Sequence, residues 1–230
     1  EIAKTCKELK IILFNDTDQQ IISIIEKYII NISNVEIVLV PVDHEIIFEK
    51  LYYVVNDSYL ADIGSIPTPF HIKVSDTTVK FLVKFGAEYN VLKTDSKNYK
   101  LFIGRKGGRG IKNYTEVFKI FKKYGFIEIF PHLMTLDEKV QLFRNASCVA
   151  GPLSSGFTNI IFSTKLENVL MMVNASRHCD LLIPKITNYM NVNCEYLLGS
   201  EGDDPSENSD FQIEIDELSE WLFLNLGSPQ

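Results

Sequence analysis

The chain has 230 residues, of which 46% are hydrophobic and 23% are charged, and its formal net charge is −7. This composition excludes wholesale disorder, and no uninterrupted apolar run reaches the roughly 18 residues that a transmembrane helix needs. The acidic balance argues against a nucleic-acid partner, because proteins that bind the phosphate backbone usually carry a basic surface. Four separated cysteines without a CxxC pair favour reduced thiols in a cytoplasmic protein.

The first part of the chain predicts short strands and one amphipathic helix. Apolar runs at 10–14 (KIILF), 35–40 (VEIVLV) and 49–55 (EKLYYVV) predict strands. The segment 18–32 lies between the first two runs and has the apolar spacing of a helix. Residues 56–71 are rich in turn formers and prolines, so they predict a linker.

From residue 72 onward, short apolar strands alternate with longer amphipathic helices. The predicted strands are 100–104, 126–130, 147–151, 169–173 and 195–199. The predicted helices are 75–86, 113–125, 135–146, 155–165 and 215–226. Glycines are expected to close the first two helices, at Gly86 and Gly125. Thr135 followed by Glu138 predicts a capping box at the third helix, and 200–210 predicts an acidic loop.

This alternation is typical of right-handed crossovers, which build a parallel sheet that helices cover on both faces. We therefore expect an α/β protein with a doubly wound, Rossmann-like domain over 72–230. Residues 1–71 are expected to form a smaller or truncated α/β portion that ends in the linker. Ligands bind such sheets beyond the carboxyl ends of the strands, so one crevice is expected among the loops that follow strands 100–104, 126–130 and 147–151.

The loop after the strand 100–104 carries the strongest local positive charge, in the stretch GRKGGRG. Its three flexible glycines allow the guanidinium groups of Arg105 and Arg109 to converge on one anion. A guanidinium group presents a planar fork of donors that suits phosphate oxygens. The alternative interpretation is a flexible, solvated loop of mixed charge, and composition alone leaves both open.

The stretch VAGPLSSGFTNIIF, 149–162, joins a strand to the next predicted helix through small and hydroxylated residues. Five residues there are candidate donors to an anion: Ser154, Ser155, Gly156, Thr158 and Asn159. The first three would offer backbone N–H groups at the helix start, where a helix favours negative charge. The alternative is an ordinary helix cap with a glycine for close packing. The shared crevice with the arginine loop favours phosphate binding.

Two other polar features have simpler explanations. Asp16-Thr17-Asp18 resembles the Asp-x-Asp motif of metal-dependent sugar transferases, but the same residues suit a helix N-terminus and no partner ligand is identifiable. His132 is a candidate catalytic base, yet a lone histidine beside a proline is more often a surface or packing residue. We therefore expect no metal site.

The segment 101–162 resembles glycosyltransferase family 61, which includes transferases of capsular-polysaccharide biosynthesis. The family pattern runs through two arginines, an Asn–x–x–Glu–Val helix start, a Gly–Phe pair and a Gly–x–His–Gly–Ala–Gly–Leu–Thr–Asn turn. The residues that fall on this pattern in order and spacing are Arg105, Arg109, Asn113, Glu116, Val117, Gly125, Phe126, Gly151, Gly156, Thr158, Asn159 and Phe162. Weaker likeness covers most of the remaining chain.

The resemblance implies a GT-B fold whose Rossmann-like half binds a nucleotide sugar, with inverting transfer and no required metal or other cofactor. It implies that Arg105 and Arg109 hold the diphosphate and stabilise the leaving nucleotide. The other residues expected around the donor are Asn113, Ser154, Ser155, Gly156, Thr158 and Asn159. Leu153 occupies the position of the family's histidine, so no role of that histidine carries over, and the catalytic base is not identified.

The expected function is transfer of a hexosyl or pentosyl group from a nucleotide sugar to a polysaccharide or glycolipid acceptor. The alternative is a non-catalytic nucleotide- or glycan-binding module on the same fold. A dinucleotide oxidoreductase is disfavoured, because no Gly-x-Gly-x-x-Gly follows a first strand. We expect a cytoplasmic protein, and peripheral association with the inner face of the membrane stays open.

Overall fold

A computed structural model describes most of the chain: residues 7–17, 19–47, 50, 59–60, 72–89, 97–105, 108–174, 182–201 and 209–229. The contacts divide the chain into two compact units, Glu1–Val55 and Asn56–Gln230. The domain boundary expected between residues 71 and 72 adjoins the stretch 61–71, which lies outside the described residues. That boundary therefore stays a prediction.

The first unit contains a β–α–β element whose parts lie where the sequence predicts them. Strand β1 (Leu9–Phe14) pairs in parallel with strand β2 (Val35–Val40), and helix α1 (Gln19–Ile29) connects them. Parallel strands need a crossover of this kind, because a tight turn joins only antiparallel neighbours. The third strand predicted here, 49–55, lies outside the described residues apart from residue 50.

The second unit is built on a six-stranded sheet. Two short strands precede it, β3 (Tyr59–Leu60) and β4 (Ile72–Lys73), and pair antiparallel with each other. The strands of the sheet are β5 (Tyr99–Ile103), β6 (Phe126–Ile129), β7 (Ala146–Pro152), β8 (Asn168–Asn174), β9 (Asn193–Glu201) and β10 (Phe211–Gln212). They are ordered β10-β9-β8-β7-β5-β6. All neighbours pair in parallel except β10, which runs antiparallel to β9.

Helices cover both faces of this sheet, as the predicted doubly wound arrangement requires. They are α2 (Asp76–Glu88), α3 (Tyr114–Lys123), α4 (Leu136–Arg144), α5 (Leu182–Met190) and α6 (Ile215–Leu226). Helices α2, α4 and α5 pack on one face, and α3 and α6 pack on the other, each face with its own buried apolar cluster. The unit is therefore an α/β fold of the Rossmann-like kind.

Helix α4 begins with the capping box that the sequence predicts. The backbone N–H of Thr135 donates to Oε2 of Glu138 at 2.8 Å, and the N–H of Glu138 donates to the Thr135 hydroxyl at 3.3 Å. The bond from the Thr135 N–H, and a second one from the Thr135 hydroxyl to the same Oε2 at 2.8 Å, favour the ionised carboxylate and lower the pKa of Glu138 below its ordinary value. The N-terminus of α4 is thus defined by local sequence alone.

Two helices differ from the sequence-based expectation. Helix α2 does not end at Gly86 but continues to Glu88, and Gly86 instead permits close packing. A Cβ atom at Gly86 would lie 2.1 Å from the carbonyl oxygen of Ile161. Helix α5 is absent from the predictions because it is short and contains Pro184. That proline lies in the first turn, where the N–H group it lacks has no partner within the helix.

The segment expected to be a helix over 155–165 is a 3₁₀ helix, Ser155–Phe162. It returns the chain towards the amino end of β7, where the hydroxyl of Ser163 bonds to the carbonyl of Ala146 at 2.8 Å. Strand β7 spans roughly 23 Å. The 8 residues of the segment Ser155–Phe162 cover about 16 Å as a 3₁₀ helix but only about 12 Å as an α-helix. The short crossover therefore favours the more extended helix.

Candidate active site

The second unit has a topological switch point between β5 and β7. After β5 the chain continues to β6 on one side, and from β7 it continues to β8 on the other. The two connections diverge, and a crevice opens between them at the carboxyl ends of the strands. The loop carrying the two arginines follows β5, and the small polar turn follows β7. Both predicted anion-binding segments are therefore at the switch point.

Arg105 links these two segments directly. Its Nη1 donates a hydrogen bond to the carbonyl of Leu153 at 3.1 Å, and its Nε donates to the carbonyl of Gly108 at 2.8 Å. The first bond crosses from the loop after β5 to the turn after β7. The second bond fixes the guanidinium group against its own loop. The structure therefore brings together the positive charge and the polar turn that the sequence predicts for one crevice.

Glycines allow the backbones to approach at this point. Gly151 has a φ of 148°, and a Cβ atom there would lie 2.5 Å from the carbonyl oxygen of Ile103. Gly156 is less constrained, since its Cβ atom would lie 3.2 Å from Cγ2 of Ile103 and 3.3 Å from Cγ of Pro131. The end of β7 thus lies directly against the end of β5, which keeps the turn close to the arginine loop.

The loop that carries Arg109 is anchored by residues much later in the chain. The N–H of Gly110 donates to Oδ1 of Asp210 at 2.7 Å, and the N–H of Phe211 donates to the carbonyl of Gly110 at 3.0 Å. The N–H of Lys112 then donates to the carbonyl of Phe211 at 2.7 Å. Arg109 has a φ of 65°, a left-handed conformation that costs a non-glycine residue about 1 kcal/mol. These bonds hold the residue in that strained conformation.

Asn113 completes the same anchor. Its side-chain amide donates to the carbonyl of Ile213 at 2.8 Å, and its Oδ1 accepts from the N–H of Ile213 at 3.1 Å. These bonds use one of the two N–H donors of the amide and one lone pair of its oxygen, so a second N–H is left for another contact. The structure therefore gives Asn113 a role in holding the arginine loop, while its predicted contact with the donor stays a prediction.

Two side chains of the turn after β7 bond to main-chain carbonyls of the same turn. The Thr158 hydroxyl donates to the carbonyl of Ser155 at 2.7 Å, and the Asn159 amide donates to the carbonyl of Gly156 at 2.9 Å. The Ser154 hydroxyl is buried and has no hydrogen-bond partner among the residues that the structure describes. The N–H groups of Ser155 and Gly156 belong to the first residues of the 3₁₀ helix, which a helix cannot satisfy by itself. These backbone N–H groups are suited to an anion, and the side-chain contacts predicted for Ser154, Thr158 and Asn159 stay predictions.

The structure gives no support for a metal site at Asp16-Thr17-Asp18 or for a catalytic role of His132. Within the described parts of the chain, no three His, Cys, Asp or Glu side chains lie close enough together to hold a metal ion. Asp16 lies in an exposed turn after β1, and Asp18 is outside the described residues. His132 is exposed, and its ring meets Phe130 edge-on at a centroid distance of 6.1 Å. The candidate site is therefore defined by the anion-binding segments.

One polar pair beside this site is not among the sequence-based predictions. The hydroxyl of Tyr114, the first residue of α3, donates a hydrogen bond to Oε1 of Glu128 in β6. Burial, followed by the bond to Glu128, raises the pKa of Tyr114 well above its ordinary value. The signal in the sequence was the single charged residue in the apolar strand at 126–130, although its partner could not be read from it.

A doubly wound sheet with an arginine loop and a polar turn at its switch point is typical of an α/β protein that binds nucleotides or other phosphates. The family model described as Glycosyltransferase 61 matches residues 13–172, well over half of the chain. The chain therefore belongs to glycosyltransferase family 61, and the family named by the sequence resemblance is confirmed. Comparison with curated proteins found no match.

Membership of this family indicates glycosyltransferase activity and, in general, a nucleotide-sugar donor and a glycan acceptor. The matched range includes the arginine loop, the turn after β7, strands β5, β6 and β7, and most of β8. In the part of the chain that the structure describes, no helix is both long and apolar enough to cross a bilayer. The family thus establishes the class of reaction, and the roles of individual residues are proposals.

Proposed function

We propose that the protein transfers a hexosyl or pentosyl group from a nucleotide-sugar donor to a polysaccharide or glycolipid acceptor. One observation carries the placement of the donor: the hydrogen bond from Arg105 to the carbonyl of Leu153, which joins the two anion-binding segments at the switch point. A diphosphate bound there would meet a guanidinium group on one side and the N–H groups of Ser155 and Gly156 on the other.

This arrangement suits the departure of a nucleoside diphosphate. When the acceptor oxygen attacks the anomeric carbon, negative charge develops on the leaving phosphate, and fixed donors that already face it lower the barrier. Arg105 and Arg109 supply the positive charge, and the turn supplies backbone dipoles. Binding the donor and the acceptor together supplies the orientation that the reaction needs. We propose a single displacement with inversion, and its base is not among the residues assigned here.

We propose that the arginines take the part that a divalent cation plays in metal-dependent transferases. The two guanidinium groups balance the two charges of the donor's diphosphate, and the N–H groups of Ser155 and Gly156 face the further charge that develops on the departing phosphate, so no further cation is needed. Transfer would then continue in excess EDTA at an unchanged rate. Loss of transfer that Mg²⁺ or Mn²⁺ restores would contradict this part of the proposal and leave the transferase activity itself intact.

The remaining expectations belong to the same proposal and rest on the sequence resemblance. They are the GT-B arrangement, a capsular or other surface polysaccharide as acceptor, and a location in the cytoplasm at the inner face of the membrane. A peripheral location would bring the enzyme to a lipid-linked acceptor without a spanning helix. Fractionation of cells that express the protein, followed by a salt wash of the membranes, tests this location.

A second candidate function is binding of the nucleotide sugar without transfer. Leu153 favours it, because the side chain at this position packs against the apolar core where the family pattern has a titratable histidine. The experiment that separates the two candidates is incubation with a panel of nucleotide sugars and a polysaccharide or glycolipid extract. Release of nucleoside diphosphate that depends on the acceptor supports transfer. Binding without release supports the binding module, and absence of binding contradicts both.

A further inference from the structure

The hydrogen-bonded pair of Tyr114 and Glu128 lies immediately beside the arginine loop. The N–H of Gly104 donates to the carbonyl of Ile129 at 2.8 Å, so Arg105 and Glu128 each lie one residue from this bonded pair. A Cβ atom at Gly104 would lie 2.9 Å from the hydroxyl oxygen of Tyr114. The tyrosine hydroxyl therefore touches the backbone at the base of the loop that carries Arg105.

The pair leaves one acceptor in place next to the phosphate-binding groups. Tyr114 donates to Oε1 of Glu128, and Oε2 has no hydrogen bond or ion pair with any residue that the structure describes. The Tyr114 ring is itself fixed by an edge contact with Phe102, at a centroid distance of 5.7 Å. Oε2 is not fully buried, so a hydroxyl or amide donor can reach it. Glu128 is therefore an oriented acceptor for a hydroxyl or amide donor.

Charge decides which part of a donor molecule this carboxylate can contact. Glu128 would repel a phosphate, so the diphosphate remains with Arg105 and the turn after β7. A ribose hydroxyl, one sugar ring away from the phosphate, is a suitable donor to the carboxylate. Tyr114 keeps its proton at neutral pH, as an ordinary tyrosine does, and so it continues to donate to Glu128 and orient it. A base for the acceptor would lie opposite the leaving phosphate, which disfavours that role for Glu128.

We propose that Glu128, oriented by Tyr114, accepts a hydrogen bond from a ribose hydroxyl of the nucleotide bound at Arg105, and so selects ribonucleotide donors. This inference rests on the proposed function, since it requires a nucleotide at the switch point. It adds a contact for the nucleoside to a site otherwise defined by phosphate-binding groups. It also explains a charged residue within an apolar strand at the edge of the sheet.

The test compares the dissociation constants of ribonucleoside diphosphates with those of their 2′-deoxy and 3′-deoxy counterparts by calorimetry. Uridine, cytidine, adenosine and guanosine diphosphates are screened first, and the tightest binder is carried forward. We expect at least one deoxy form to bind about tenfold more weakly than the ribonucleotide, which is typical of losing a hydrogen bond to a charged group. In Glu128→Ala that ratio falls to about one, and in Tyr114→Phe it falls part of the way.

Three outcomes would decide the matter against the proposal or its premise. A wild-type protein that binds ribo and deoxy forms equally overturns it, whether or not any variant folds. A ratio that is unchanged in Glu128→Ala overturns it as well and makes the pair a structural contact only. Absence of nucleotide binding to the wild type contradicts the proposed function instead. Glu220→Gln, an exposed acid on α6, is the control and should keep the wild-type ratio.

Discussion

Arg105 and Leu153 are joined by a hydrogen bond of 3.1 Å between the guanidinium Nη1 and the main-chain carbonyl. The two residues follow different strands, β5 and β7, which are neighbours on either side of the switch point. A carbonyl accepts the bond, so the interaction does not depend on the side chain at position 153. The geometry of the crevice is therefore compatible with leucine there, whatever a histidine would add to the chemistry.

Arg105→Ala should weaken binding of a nucleoside diphosphate by about ten- to a hundredfold, because charge-assisted hydrogen bonds to the phosphate are lost. Arg105→Lys should recover part of the affinity, since a lysine keeps the charge but not the planar fork. Calorimetry measures both. Lys112→Ala removes an exposed charge from the same loop and is the matched control. Equal losses in Arg105→Ala and Lys112→Ala would mean that only the general charge of the loop matters.

Arg109→Gly should have opposite effects on stability and on nucleotide binding. Glycine relieves the strain of the left-handed backbone, so the free energy of unfolding should rise by up to about 1 kcal/mol. Nucleotide affinity should fall, because a guanidinium group is lost. Asn191→Gly is the matched control, since Asn191 has a φ of 58° and lies in the turn after α5. Urea unfolding and calorimetry on both variants test this, and unchanged affinity in Arg109→Gly would remove Arg109 from the site.

Gly151→Ala should destabilise the second unit by several kcal/mol. The new Cβ atom would lie 2.5 Å from the carbonyl oxygen of Ile103, and the φ of 148° is unfavourable for alanine. Gly227→Ala provides the comparison, because its φ is 77° but no atom lies within 4 Å of the new methyl group. That variant should lose about 1 to 3 kcal/mol, which is the cost of its backbone conformation alone. Similar losses in the two variants would show that β5 and β7 separate easily at this end.

Tyr114→Phe should change how stability depends on pH above about 10. The pKa of Tyr114 is raised in the folded protein, so its contribution to stability is complete below the unfolded pKa of about 10 and is lost as pH rises through the folded value. The difference in unfolding free energy between wild type and variant should therefore shrink between pH 8 and pH 11. Urea unfolding at both pH values measures it. A constant difference would mean that Tyr114 titrates normally.

Features that depend on neighbouring residues were predictable from the sequence. The bounds of β2 and α6 agree with the apolar periodicity, and the capping box at Thr135 agrees with its local spacing. The alternation of short apolar strands with amphipathic helices was also enough to predict the parallel sheet and the crevice at its carboxyl edge. The predicted end of α2 at Gly86 was wrong, because Gly86 allows close packing against Ile161, a contact that no local pattern reveals.

Features that depend on distant residues were not predictable. The pairing of Asn113 with Ile213 joins a loop to a segment beyond five further strands, so the sequence favoured a ligand contact for that amide. The partner of Glu128 likewise becomes known only when α3 packs beside β6. The 3₁₀ form of 155–162 depends on the distance that the crossover has to cover, which is a property of the assembled sheet.

The hydrogen bonds that fix the arginine loop determine how far the domain can be truncated. The family match ends at residue 172, within β8, whereas Asp210, Phe211 and Ile213 hold the backbone from Gly110 to Asn113. A fragment trimmed to the matched range would keep both arginines and lose what fixes their loop. It would also expose the apolar side of β8 that β9 and α6 cover. The smallest piece able to present this site is therefore larger than the part by which the family is recognised.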